Sequence, residues 1–131
     1  MDGFGVVVGA GTLRSASPVS SFAHRWTDEG VTVEGEFTGG HLLHLAAAGC
    51  VLNDLYREAA ATGVPLRGVR VGAEGGFDAT TWQSTGIRYW VDLDSDAEQS
   101  DLDALLQRVD AVAEIPKSLR AGASVERVEP R

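Results

Sequence analysis

The stretch Thr38–Gly63, TGGHLLHLAAAGCVLNDLYREAAATG, decides how this chain folds. Two glycines open it, Gly63 closes it, and Pro65 lies two residues further on, where a helix cannot continue. The interval reads as one long helix. From Leu42 to Leu52 nearly every side chain is apolar or small: Leu42, Leu43, Leu45, Ala46, Ala47, Ala48, Gly49, Cys50, Val51 and Leu52. A helix that is apolar all round is buried on all sides, so this half is expected to be a core helix. After Leu52 the apolar side chains narrow to one stripe. Leu55, Tyr56 and Ala59 continue it, while Asn53, Asp54, Arg57 and Glu58 face elsewhere. The second half should therefore emerge toward solvent. The single cysteine, Cys50, falls in the buried half.

Upstream of the helix the pattern is that of strands. Phe4–Leu13 (FGVVVGAGTL) is β-branched, then glycine-rich, and predicts a strand that bends near Gly9–Gly11. Pro18 and its serines make Arg14–Ser21 a loop. Phe22–Thr27 (FAHRWT) begins a second strand, and Asp28-Glu29-Gly30 connects it to Val31–Phe37 (VTVEGEF), which alternates. Downstream, Val64–Phe77 alternates again, with Val69, Val71 and Ala73 on one side. Asp78–Gly86 is a connection carrying Trp82. In Ile87–Leu93 the residues Ile87, Tyr89, Val91 and Leu93 share one face and Arg88, Trp90 and Asp92 the other. A tryptophan on that second face predicts that it too is covered. Ser100–Glu114 is an amphipathic helix carrying Leu102, Leu105, Leu106, Val109, Val112 and Ala113, with Ser100 and Asp103 spaced as a capping box. Pro116 should end or kink it at Ile115. Lys117–Ala121 forms a second helical piece closed by Gly122, and Ala123–Val128 a last strand. Three strands, a long helix, two strands, an amphipathic helix and a strand make an α+β chain rather than a doubly wound one. Residues 1–131 are read as one domain.

Composition excludes several classes. A net charge of −8 leaves no basic surface for nucleic acid. No run of about 18 apolar residues predicts a membrane helix, and the acidic start MDGFGVVVGAG lacks the basic region of a signal peptide. One cysteine excludes an internal disulfide, and a free thiol fits a reducing cytosol, so a cytoplasmic location is expected.

The candidate chemistry centres on Cys50. A reactive thiolate needs a cation, a helix N-terminus or hydrogen-bond donors. Cys50 lies about ten residues, roughly 15 Å, past the helix start, too far for the dipole to help. Its helical neighbours are Ala46, Ala47, Asn53 and Asp54, and none is cationic. A cation must come from elsewhere, with Arg25 and Arg14 as candidates; a buried cysteine without one is an inert small hydrophobe. His41 and His44, spaced i, i+3, with His24 as a third ligand, allow a metal reading. No Cys or Asp completes a known metal pattern, and no metal is assigned. The plainer reading has His41 and His44 lining a half-polar pocket or a subunit interface. They lie about 180° and about 120° around the axis from Cys50 and cannot serve it as bases. Trp26, Trp82, Trp90, Tyr56 and Tyr89 line an apolar ligand site or anchor a core and an interface. Gly72, Gly75 and Gly76 lack the lysine and helix of a phosphate loop. The acids of DLDSDAEQSDLD fail the calcium-loop spacing.

The segment GGHLLHLAAAGCVLNDLYREAAATGVPLRGVRV places a cysteine mid-helix before a valine-rich strand. After it come VDLDSD, the helix DLDALLQRVDAVAE, a proline-led turn and a final strand. Over roughly Gly39–Val128 this resembles the OsmC/Ohr family of thiol peroxidase-related, peroxiredoxin-like proteins of oxidative-stress defence. The resemblance implies antiparallel sheets packed around a long central helix plus a second amphipathic helix, in an intertwined homodimer. It implies reduction of an organic hydroperoxide by a first cysteine, here Cys50, without a cofactor. A second cysteine resolves the sulfenic acid; its place here is Ile115. The family's helix-start glutamate would fall near Gly40, beside His41, and is absent. The family's arginine has no clear counterpart, Arg25 or Arg14 standing in the right third of the chain. Two functions follow as expectations. One is a one-cysteine peroxidase using Cys50, Arg25 and an external thiol reductant. The other is a non-catalytic dimer that binds an apolar small molecule or lipid on the same scaffold.

Overall fold

The computed structural model describes residues 3–130. Three strands open the chain: β1 (Val6–Gly11), β2 (Ser20–Phe22) and β3 (Val31–Glu34). The long helix α1 (Gly39–Thr62) follows, then β4 (Gly68–Phe77) and β5 (Ser84–Asp94), then α2 (Gln99–Val112) and α3 (Glu114–Ala121). The strands form one sheet in the order β2-β3-β1-β4-β5, with every pairing antiparallel. The architecture is α+β.

Helix α1 begins and ends where its sequence dictates. The Thr38 hydroxyl accepts from the His41 N–H at 3.2 Å, taking up one of the orphan donors at the helix start. At the other end Gly63 turns left-handed (φ 75°), a conformation that costs glycine no Cβ clash, and its N–H returns to the Ala59 carbonyl. Ala48, Val51, Leu52, Leu55, Tyr56 and Ala59 pack on the sheet against Val8, Ala10, Val33, Val69, Val71 and Ala73. Leu105 and Val109 of α2 close the same cluster.

Cover is not complete around α1. Leu42 is 38% exposed and Ala46 is exposed, with Leu45 and Gly49 half-buried beside them. The described residues cover the sheet-facing side of Leu42–Leu52 and leave the opposite side open. The outer face of β5 is open too, against the expectation of a covered Trp90. The indole is 43% exposed and lies over Gly72, where a Cβ would meet the ring at 2.2 Å. The Arg70 guanidinium stacks 5.1 Å from its centroid. One ring on a glycine notch thus replaces a covering layer.

Three local expectations are corrected. The second strand is Ser20–Phe22, not Phe22–Thr27. From Ala23 the chain leaves the sheet because His24 turns to Thr27 and Asn53, and Gly30 (φ 78°) donates to the Thr27 carbonyl. The N-cap of α2 is Glu98 without a side-chain cap; Asp103 instead accepts from Gln99 at 2.9 Å, so no Ser100–Asp103 box forms. Residues 123–130 form no strand. Gly122 in a left-handed conformation (φ 72°) releases the chain from α3, and Val125 and Val128 are 95% and 72% exposed. No described helix is long and apolar enough to cross a membrane.

Candidate functional site

Cys50, Asp54 and Arg57 stand at i, i+4 and i+7 of α1, hence on one face. The chain breaks at Ala113 (ψ 122°), and α3 starts over that face, as Pro116 near its start allows. The Cys50 Sγ lies 3.4 Å from Glu114 Oε2 and 3.7 Å from Asp54 Oδ2, toward which the thiol donates. The Ile115 N–H donates to the sulfur at 3.5 Å. Arg57 Nη1 takes the remaining oxygen of each carboxylate, Glu114 Oε1 at 3.0 Å and Asp54 Oδ1 at 3.2 Å. Asn53 donates to Asp54 Oδ1 at 3.1 Å. Glu58 then joins Arg57 to Arg108, so charge pairs link α1 to both later helices.

The electrostatics follow from that packing. Burial pushes the Cys50 thiol up to about 11, and the charges of Asp54 and Glu114 push the same way against the Ile115 N–H. At neutral pH only about one thiol in ten thousand is ionised. Burial also raises the Asp54 carboxyl. Glu114 is held down at about 2, first by its own backbone N–H and then by the Arg57 guanidinium.

Cys50 opens on a groove of about 430 Å³. Its walls are mostly apolar, from Val8, Val31, Val33, Leu45 and Leu52, and its polar groups include His24 and Asn53. His24 is fixed there by Thr27 Oγ1 at 2.8 Å and Asn53 Oδ1 at 3.2 Å.

The structure sorts the residues singled out in the sequence. The Ile115 backbone N–H contacts the Cys50 sulfur, and the residue also lines the groove. Arg25 is exposed, and Arg14 pairs with Glu29. The guanidinium at the cysteine cluster is Arg57. The histidines take three separate partner sets. His41 meets Thr38 at 2.6 Å and Glu36 at 3.4 Å, while His44 Nδ1 lies 2.9 Å from the Phe4 carbonyl. At Gly40 a side chain has no room: a Cβ would lie 2.6 Å from the Phe4 ring and 3.0 Å from that of Phe77. A glutamate there is sterically excluded, and the carboxylates at the thiol come from Asp54 and Glu114 instead. Of the aromatics, Tyr56 is in the core and Tyr89 holds Asp110, whereas Trp26 and Trp82 are 38% and 83% exposed. The acids Asp94 and Asp96 clamp Arg67 rather than forming an ion loop.

A family model described as OsmC-like protein matches residues 32–127. The chain belongs to the OsmC-like family. It is also similar to a crystal structure of an OsmC-like hydroperoxide resistance protein from Jannaschia sp. CCS1, at 14% identity and a TM-score of 0.53. That match covers 97% of this chain and 95% of the other and speaks for the fold alone. No curated protein sequence matches. Within this OsmC-like chain, Arg57 and Glu114 are the site residues that sequence reasoning missed. The i, i+4, i+7 spacing from Cys50 was the signal for Arg57. Glu114 carries no such signal, because only the break at Ala113 brings it across.

Proposed function

We propose that this OsmC-like protein reduces an apolar organic hydroperoxide at Cys50, slowly, with an external thiol as reductant. The observation that carries the reading is the Cys50 sulfur in the wall of an apolar groove, with a buried carboxylate 3.7 Å away. Asp54 takes the thiol proton as sulfur attacks the distal peroxide oxygen. The O–O bond breaks, the alkoxide leaves and takes that proton as an alcohol, and Cys50 becomes a sulfenic acid. One external thiol forms a mixed disulfide and releases water; a second restores Cys50. Arg25 does not line the groove but adjoins the groove-lining His24; this reading gives it the cation's role toward the peroxide oxygens, and Arg25→Ala is expected to lower kcat/KM with the fold unchanged. A reducing cytosol suits the free thiol. Stopped-flow consumption of cumene hydroperoxide, wild type against Cys50→Ser, tests this reading. Equal and negligible rates would remove it.

A second reading is favoured by the thiol held protonated between two carboxylates: the groove binds an apolar molecule without chemistry. Native mass spectrometry of protein taken from its own host is then expected to show a co-purifying ligand. Absence of any ligand, with no change in melting temperature across a lipid panel, counts against it. In both readings we infer a homodimer, because the open side of α1 is apolar.

A further inference from the structure

We propose that Cys50, Asp54 and Glu114 form a binding site for a thiophilic divalent cation of the zinc class. Their three donor atoms lie within 4.8 Å of one another, the one such cluster among the described residues. Around tetrahedral zinc, S–metal and O–metal bonds of about 2.3 and 2.1 Å place sulfur and oxygen about 3.6 Å apart. The sulfur stands 3.4 Å from Glu114 Oε2 and 3.7 Å from Asp54 Oδ2, either side of that separation. A small inward shift of the exposed Glu114 and the thiol rotamer closes the set.

A separate observation concerns orientation. Asp54 is 1% exposed, and its Oδ1 is committed to Arg57 and Asn53. Its Oδ2 faces the thiol, at the outer limit of a hydrogen bond, and the carboxyl also interacts with that of Glu114. Arg57 therefore takes one oxygen of each carboxylate and leaves the other aimed at the sulfur. Supporting groups behind the ligands of a metal site do the same. With Cys50 ionised, the cluster of Cys50, Asp54, Glu114 and Arg57 carries −2, which a divalent cation neutralises. As the metal–sulfur bond forms, the thiol proton leaves to solvent. A thiolate selects zinc, cobalt or cadmium over magnesium and calcium. Water or a ligand in the groove that Cys50 lines would complete the coordination. Occupancy would cap the sulfur and halt chemistry there.

The experiment is a Co²⁺ titration of the reduced, chelator-treated protein without peroxide, so its outcome is separate from that of the peroxidase reading. Wild type is expected to show a near-ultraviolet thiolate-to-cobalt charge-transfer band with the intense visible bands of tetrahedral Co²⁺. Stoichiometric Zn²⁺ should bleach both, and excess Mg²⁺ neither. Cys50→Ser should abolish the charge-transfer band. Glu114→Gln, an exposed change that leaves the core untouched, should weaken binding about tenfold or more, and Asp54→Asn likewise if it folds. No charge-transfer band in wild type would overturn the proposal. So would a Glu114→Gln variant with wild-type spectrum and affinity, which would mean association with a lone thiol.

Discussion

Ile115 and Cys50 are the pair on which a single substitution says most. The Ile115 amide already touches the sulfur, so a thiol introduced by Ile115→Cys starts beside Cys50. We expect the peroxide-treated variant to form a disulfide between Cys50 and the introduced thiol, which requires Cα atoms within about 4.4–6.8 Å. Non-reducing peptide mapping checks it; a fully folded variant with no linkage would show that the side chain at this position points away from the thiol. The wild-type protein has no second cysteine. Its oxidised Cys50 should stop at sulfenic acid, pass to sulfinic acid, or bond an added thiol. His24 offers a different test. Burial lowers its pKa, with the Asn53 hydrogen bond opposing. The folded state thus resists protonating this ring more than the unfolded chain does. Its contribution to stability is complete above the unfolded value of about 6.5 and is lost as pH falls through the lower folded value. Melting temperatures recorded from about pH 7.5 down to about pH 5 should drop more steeply for wild type than for His24→Gln. Parallel curves would show that the ring takes no part.

At the scale of elements, α1 supplies most of both core and site, and its joints to the sheet and to α3 differ in kind. The sheet joint is apolar. Leu55 is fully buried, and Leu55→Ala should cost about 2–5 kcal/mol in urea unfolding. The α3 joint is largely polar. Arg57, partly exposed, holds both the exposed Glu114 and the buried Asp54, so Arg57→Gln should cost about 1–3 kcal/mol, most of it from the Asp54 carboxyl left without its guanidinium. It should nonetheless speed hydrogen exchange at the amides of Ile115 and its α3 neighbours while leaving the strands protected. Uniform exchange across the molecule would contradict this. The same difference explains what was legible in the chain. Val69 and Val71, two residues apart, and Leu52 and Leu55, three apart, determine sheet and helix because burial follows their periodicity. Thr38, Gly63 and Gly122 mark helix ends through local backbone chemistry. The Phe22–Thr27 segment misleads because side-chain bonds of His24, made across the fold, pull a strand-like sequence away from the sheet. Ala123–Val128 misleads because a strand needs a neighbouring edge, and nothing in its own residues supplies one. Cys50 was visible as a residue, but its carboxylate partner Glu114 depends on how α3 docks, which no spacing encodes.

For the whole molecule, the open faces matter most. Leu42, Ala46 and Gly49 line one side of α1 at helical spacing, and the described residues do not cover them. A second copy is the expected cover, so sedimentation at micromolar concentration should give a dimer; a monodisperse species near 13.8 kDa would contradict this. The tryptophans carry a consequence of another kind. Trp26, Trp82 and Trp90 are 38%, 83% and 43% exposed within the chain. All three indoles sit at the water boundary, none in the packed interior, and a partner subunit would shut out solvent only at whichever of them it overlies. Emission from this protein should therefore be red-shifted even when folded and change little in colour as the chain melts. An observer watching that glow would see association before unfolding, and would have to turn to circular dichroism to see the fold go.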